Sequence, residues 1–219
     1  KRSVNIGLRL NPNTDAKTLS QISTGKRENK FGVPEKVFLN LVKYIKNSNN
    51  LNLKCLSVHI GSQIIDHKPY VEMLNVINKT IKKANFNFEY IDLGGGMGID
   101  YENNYKELNL NKYYLSIKKF RKKHNCKIIF EPGRSIIGNS GFLISKVIYV
   151  KKGYKKDFII LDAAMNDLMR PALYNAKHRI LPAIKNQKKS KKTYEFVGPI
   201  CESTDKFLTA KKFQLLNEK

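Results

Sequence analysis

The sequence predicts an α/β protein: part of a β/α (TIM-like) barrel over residues 1–140, followed by a mostly β domain over residues 141–219. Three observations predict it. Strand-like and helix-like segments alternate from residue 4 to about residue 138, the pattern of parallel strands joined by crossover helices. Each polar motif in that stretch falls just after a strand, at Asn11, at residues 59–63, at residues 94–98 and at residues 131–134. In a β/α barrel such strand ends form one mouth, where sites are built. After Gly138 the helix signals thin out and short β-rich runs take over.

The elements follow in order. Val4-Asn5-Ile6-Gly7-Leu8-Arg9-Leu10 alternates apolar and polar residues and stops at Asn11-Pro12, a strand and its end. Residues 34–47 carry Val37, Leu41, Val42 and Ile45 at helical spacing, with Pro34 placed for a helix start. Residues 53–60 are a short apolar run reaching Gly61-Ser62. Residues 70–84 put Val71, Leu74, Ile77 and Ile81 on one helical stripe. Tyr90-Ile91-Asp92-Leu93 reads as a strand closed by three glycines, residues 113–124 as a helix, and Lys127-Ile128-Ile129-Phe130 as a buried strand ending at Glu131-Pro132. Four strands are half of the roughly eight that close such a barrel. With the chain opening on Lys1 in mid-pattern, further barrel strands are expected upstream. Beyond Gly138, residues 141–151, 157–162, 193–197 and 207 onward read as β, and the piece around residues 167–174 as a short helix.

Composition narrows the function classes. At 219 residues, with 41% hydrophobic and 27% charged residues, the chain is an ordinary globular one. The formal charge of +23 invites a nucleic-acid reading, but 34 of the 41 basic residues are scattered Lys and only seven are Arg, whereas base readers favour Arg with interleaved aromatics. The densest run, residues 185–192, reads as a solvated loop. No apolar stretch approaches the roughly 20 residues that span a bilayer, so a cytoplasmic protein with no membrane partner is expected. Three widely spaced cysteines, Cys55, Cys126 and Cys201, with no CxxC and no histidine pair at ligand spacing, imply neither a disulfide framework nor a metal site.

The motifs carry the chemistry. Gly94-Gly95-Gly96-Met97-Gly98 lets a backbone approach a ligand and present bare N–H groups to a phosphate. Ile99 stands where a dinucleotide fingerprint needs its last glycine, which favours a single phosphate; a tight strand-exit turn explains the same glycines. Glu131-Pro132-Gly133-Arg134 sets a carboxylate suited to a protonated ring nitrogen beside a guanidinium suited to phosphate or carboxylate, or else forms a structural Glu–Arg pair. His59, ahead of Gly61-Ser62, is a site residue or a satisfied core histidine. Arg170 and Tyr174 are spaced i, i+4 and can share a face to hold a carboxylate. Cys201-Glu202 joins a thiol to a carboxylate in a turn after Gly198-Pro199, or is a buried small Cys beside a surface Glu.

Taken in order, the set resembles the diaminopimelate decarboxylase family, of the alanine-racemase-like group of pyridoxal-phosphate (PLP)-dependent decarboxylases. The matching segments are Arg9-Leu10-Asn11-Pro12, Ile22-Ser23-Thr24-Gly25, Glu28-Asn29-Lys30-Phe31-Gly32, His59-Ile60-Gly61-Ser62-Gln63, Gly94-Gly95-Gly96-Met97-Gly98, Glu131-Pro132-Gly133-Arg134, Arg170-Pro171-Ala172-Leu173-Tyr174 and Cys201-Glu202-Ser203-Thr204-Asp205. The resemblance implies a PLP-binding barrel and decarboxylation of meso-2,6-diaminopimelate to L-lysine and CO2. Sister decarboxylases of ornithine, arginine or carboxynorspermidine, or a non-catalytic homologue, are the rivals. It implies that His59 stacks on the cofactor ring, that Ser62 and Gly94, Gly95 and Gly96 hold its phosphate, and that Glu131 pairs with its ring nitrogen. Pro132 belongs to the same cofactor motif, and Gly133 and Arg134 match phosphate and substrate contacts. Arg170, Tyr174 and Glu202 match groups that read the far end of the substrate. Cys201 matches the residue that returns a proton to the substrate, acting across a homodimer interface. The family's cofactor-bonding lysine is expected upstream of Lys1, and a late tyrosine beyond Lys219.

Overall fold

The computed structural model describes residues 2–18, 22–101, 106–184, 188 and 190–216. These divide into two compact units, one of residues 2–100 and 106–141, the other of Tyr101 with residues 142–216.

The first unit repeats strand and helix: β1 (Val4–Arg9), α1 (Glu35–Lys46), β2 (Leu51–Ser57), α2 (Lys68–Ala84), β3 (Tyr90–Asp92), α3 (Leu110–His124), β4 (Lys127–Ile129) and α4 (Arg134–Ile137). The four strands form one parallel sheet in the order β1-β2-β3-β4. Each crossover lays a helix on the sheet, and α1 packs beside α2 and α2 beside α3. Local chemistry sets the helix ends. Pro34 precedes α1, Pro69 opens α2, and the Asn109 side chain accepts from the Lys112 N–H at the start of α3. Asn85 and Asn125 end α2 and α3 in the left-handed conformation that asparagine tolerates.

The core lies between sheet and helices, with Phe38, Val42, Leu56, Tyr70, Ile77 and Ile91 fully buried. Side chains of this size each contribute about 1.5–3 kcal/mol when buried. Two helix faces differ from expectation by one position. Val37 is exposed while Phe38 is buried in α1, and Val71 is only half-buried while Tyr70 takes the core position in α2. In both pairs the aromatic residue fills more of the inter-helix space than the valine beside it. Ile129 and Phe130 are 39% and 42% exposed, and β4 has a neighbour on the β3 side alone among the described residues. An open apolar groove of about 1060 Å3 runs along β4 and α3, walled by Met97, Tyr113, Ile117, Ile128, Phe130 and Pro132. The short α4 was not anticipated, since four residues carry no readable period.

The second unit holds β5 (Val147–Lys151), β6 (Lys156–Leu161), α5 (Arg170–Tyr174), β7 (Thr193–Val197) and β8 (Lys206–Ala210). Its sheet runs β5-β6-β7-β8, antiparallel at both ends and parallel between β6 and β7. A parallel neighbour needs a long crossover, and residues 162–192, which include α5, supply it. Residues 141–146, expected to be β, are not strand. The core is small: Val150, Ile159, Tyr194 and Phe196 are buried, with Phe213 packed 5.1 Å from the Phe196 ring centroid. Two buried acids border it. Glu195 pairs with Lys156, and Asp157 lies 3.4 Å from Lys192. Of the run at 185–192, Lys185, Asn186, Gln187 and Lys189 lie outside the described residues. No described helix is long and apolar enough to cross a membrane.

Candidate functional site

In the first unit three loops leave the carboxyl ends of β2, β3 and β4 and interlock through their backbones. Glu131 N–H donates to the Gly94 carbonyl at 2.8 Å, and Ile64 N–H to the Gly96 carbonyl at 2.9 Å. A Cβ on Gly95 would collide with the Glu131 carbonyl, and one on Gly96, whose φ is +90°, with the Gly61 carbonyl. The glycine run is therefore required by packing between the loops themselves. Asp92, buried at the end of β3, accepts from Gly94 N–H and from the Ser57 hydroxyl, both at 2.9 Å, and so shapes the turn from behind.

His59 sits in the first of these loops. Gly95 N–H donates to its Nδ1 at 3.1 Å, which fixes the ring and leaves the proton of the neutral imidazole on Nε2. Burial, assisted by the Arg9 charge, lowers its pKa below the ordinary imidazole value. The ring is thus held neutral and oriented, suited to lie flat on an aromatic ligand. Ser62 follows it, its N–H bonded to the Ile22 carbonyl at 3.0 Å. Glu131 is exposed at the end of β4. Arg134 opens α4, and its Nη1 donates to Gln63 Oε1 at 3.1 Å, not to Glu131. Gly133 differs from the glycines of the 94–98 run: nothing lies within 4 Å of where its Cβ would be.

The structure thus brings His59, Ser62, Gly94, Gly95, Gly96, Glu131, Pro132, Gly133 and Arg134 to adjacent strand ends of one unit. The donor set there fits a phosphorylated ring-nitrogen cofactor. The N–H groups of Gly96 and Gly133 and the hydroxyl of Ser62 have no protein acceptor among the described residues. An acid, a guanidinium and an oriented imidazole accompany them. No cluster of metal-ligating side chains exists among the described residues.

Arg170, Tyr174, Cys201 and Glu202 lie in the second unit. Arg170 and Tyr174 are the first and last residues of α5. The Arg170 guanidinium lies 5.1 Å from the Tyr101 ring centroid and bonds His178 Nε2 at 2.9 Å. Cys201 is a free, exposed thiol in this chain, and Glu202 is exposed. Their turn is held by Asp205, a buried carboxylate that accepts from Met165 N–H at 2.7 Å and Ile200 N–H at 2.8 Å. One carboxylate therefore ties the loop leading to Arg170 to the turn carrying Cys201. Sequence reading did not assign Gln63, Asp92, Tyr101, His178 or Asp205. Asp92 and Gln63 adjoin recognised motifs, which was the available signal; nothing in the sequence marks the partners of Asp205.

An open parallel β/α sheet with a phosphate-ready, acid-bearing mouth defines a cofactor-binding half barrel. The chain belongs to the pyridoxal-dependent decarboxylases: the model of that family's pyridoxal binding domain matches residues 1–138. Among curated proteins it is 42% identical over 206 residues to the diaminopimelate decarboxylase of Helicobacter pylori, covering 93% of this chain and 51% of the relative. The Aquifex aeolicus diaminopimelate decarboxylase is 40% identical over 207 residues, with 93% and 49% covered. The crystal structure of the Helicobacter pylori enzyme complexed with L-lysine superimposes with a TM-score of 0.87 at 39% identity, covering 97% of this chain and 54% of that one. The chain spans about half the length of the curated relatives it matches.

Proposed function

We propose that the whole protein is a cytoplasmic, homodimeric decarboxylase that converts meso-2,6-diaminopimelate to L-lysine and CO2 with pyridoxal 5'-phosphate. The observation that carries this is the convergence of His59, Glu131 and Arg134 with unpartnered donors on adjacent strand ends, in a chain whose relatives at about 40% identity are diaminopimelate decarboxylases. When bound, the cofactor would supply an electron sink for the pair left at Cα on loss of the carboxylate.

The residues divide the remaining work. Ser62, Gly96 and Gly133 hold the phosphate, and Arg134 contacts phosphate or substrate; Gly94 and Gly95, whose N–H groups are taken by Asp92 and His59, shape the turn instead of donating to the phosphate as the sequence suggested. His59 supports the ring face. Glu131 keeps a proton on the ring nitrogen, which sustains the pull on Cα. Arg170 and Tyr174 receive the distal carboxylate of the substrate, and Glu202 its distal ammonium. Cys201 returns a proton to Cα. Cys201 and Glu202 serve the site of the partner subunit in a two-fold dimer, where each contribution is reciprocal.

The test is Glu131→Gln in the whole protein, with CO2 release measured on diaminopimelate, ornithine, arginine and carboxynorspermidine. The unsubstituted protein is expected to prefer diaminopimelate. The amide cannot hold the nitrogen protonated, so turnover should fall at least about tenfold, about 1.4 kcal/mol, while cofactor affinity changes less than about threefold. Unchanged turnover refutes the role of Glu131, and a preference for an amine-ended substrate refutes the substrate.

A further inference from the structure

Tyr70 is the third residue of α2 and is fully buried. Its ring packs against that of Tyr113 in α3, with 4.3 Å between centroids, and its hydroxyl donates to the Gly95 carbonyl at 3.1 Å. Burial raises the pKa of this hydroxyl far above its ordinary value, so the proton stays in place and the group remains a donor. The carbonyl that it holds belongs to the same planar amide as the Gly96 N–H. In a trans amide these two groups point in opposite directions. With the carbonyl turned to the core, the N–H faces away from it, at a residue that is only half-buried. That N–H has no protein acceptor among the described residues. The bonds on either side are made by the neighbouring amides: Gly95 N–H donates to His59 Nδ1, and the Gly96 carbonyl accepts from Ile64 N–H at 2.9 Å. The amide between them is flanked by two glycines, whose missing side chains let it turn over while both of those bonds stay in place. Among the described residues only Tyr70 donates to the Gly95 carbonyl, so its hydroxyl chooses between the two orientations.

We propose that Tyr70 is a positioning residue for the cofactor phosphate: its hydroxyl holds the Gly95–Gly96 amide in the orientation that offers the Gly96 N–H to a phosphate oxygen. This rests on the reading of Gly96 as a phosphate donor. An amide free to turn would present its carbonyl to the ligand part of the time, and the negative end of that dipole repels an anion. The bond from Tyr70 also polarises the amide, which strengthens its N–H as a donor. Tyr113 supplies the contrast. Its hydroxyl is also buried, beside the same ring, yet has no partner among the described residues. Its loss turns no amide.

The whole protein, freed of cofactor, is titrated calorimetrically with pyridoxal 5'-phosphate and with pyridoxal, which has the same ring and no phosphate. The ratio of the two affinities reads the phosphate contacts, whereas a loss of packing or of folded fraction moves both ligands together. Tyr70→Phe keeps the ring and removes the hydroxyl. It should lower the ratio about tenfold through weaker pyridoxal phosphate binding, with pyridoxal held within about twofold. Tyr113→Phe should leave the ratio within about twofold. Ser62→Ala, which removes another phosphate donor, should lower it. An unchanged ratio in Tyr70→Phe overturns the inference, and a ratio lowered in Ser62→Ala at the same time leaves the phosphate reading standing. Equal losses for both ligands in Tyr70→Phe, failure of that variant to fold, or an equal fall of the ratio in Tyr113→Phe also overturns it, as the mark of a core residue that merely supports the loop. No preference for pyridoxal phosphate over pyridoxal in the unsubstituted protein overturns both the inference and the phosphate reading of these strand ends.

Discussion

The two units place their candidate residues by different means. In the first, the loops after β2, β3 and β4 lock through main-chain contacts, and Gly95 and Gly96 leave no room for a side chain. The site is a product of backbone packing beneath a core of more than twenty buried residues. In the second, Arg170, Tyr174, Cys201 and Glu202 stand on a one-turn helix and an exposed turn, over a core of Val150, Ile159, Tyr194 and Phe196. Their placement depends on side-chain clasps, chiefly Asp205 and the Tyr101–His178 seat of Arg170.

The sharpest way to break this contrast is at the glycines. Gly96→Ala should cost the first unit about 3 kcal/mol, through collision with the Gly61 carbonyl at a positive φ. Gly133→Ala, with open space around it, should stay within about 0.5 kcal/mol. Denaturant unfolding of the cofactor-free protein measures both. Equal costs would mean that loop packing does not account for the glycine run.

Asp205→Asn should come next, costing the second unit about 2 kcal/mol, since an amide can accept from Met165 and Ile200 only at one oxygen and sets its NH2 against the other donor. The same unfolding measurement checks it. A loss below about 0.5 kcal/mol would show that the turn is held by something other than this carboxylate.

The smallest effect concerns His59. Its pKa is depressed in the folded chain, so the unfolded chain takes up the proton first as pH falls. The stability linked to this histidine is complete above its unfolded value near 6.5 and is lost as pH falls through the lower, folded midpoint. Nuclear magnetic resonance titration of the ring should give a midpoint below 6.5. A midpoint at or above that value would mean that the ring is not sequestered by Gly94 and Gly95.

The order of elements was legible because strand and helix periods differ and because proline, glycine and asparagine mark their ends. All four parallel strands and three long helices of the first unit lie where the periods place them. The stripes of α1 and α2 were misjudged by one residue, at Val37 and Val71, because spacing alone does not say which of two adjacent apolar residues fills the gap to the next helix. The parallel β6–β7 pair was hidden because the described residues of its long crossover hold one short helix, α5, as the only named element.

Glycine and charge at strand ends were determined by the sequence itself: wherever those loops go, Gly95, Gly96, Glu131 and Arg134 arrive at the carboxyl ends of neighbouring parallel strands. The tertiary structure alone decided what each polar group holds. Arg134 turns to Gln63 and not to Glu131, three residues away, and Asp205 reaches back to Met165, forty residues earlier. The physical reason is range. Backbone propensity and periodicity act over a few residues and are written locally, whereas a hydrogen bond between loops exists only once a sheet has brought distant segments within 3 Å.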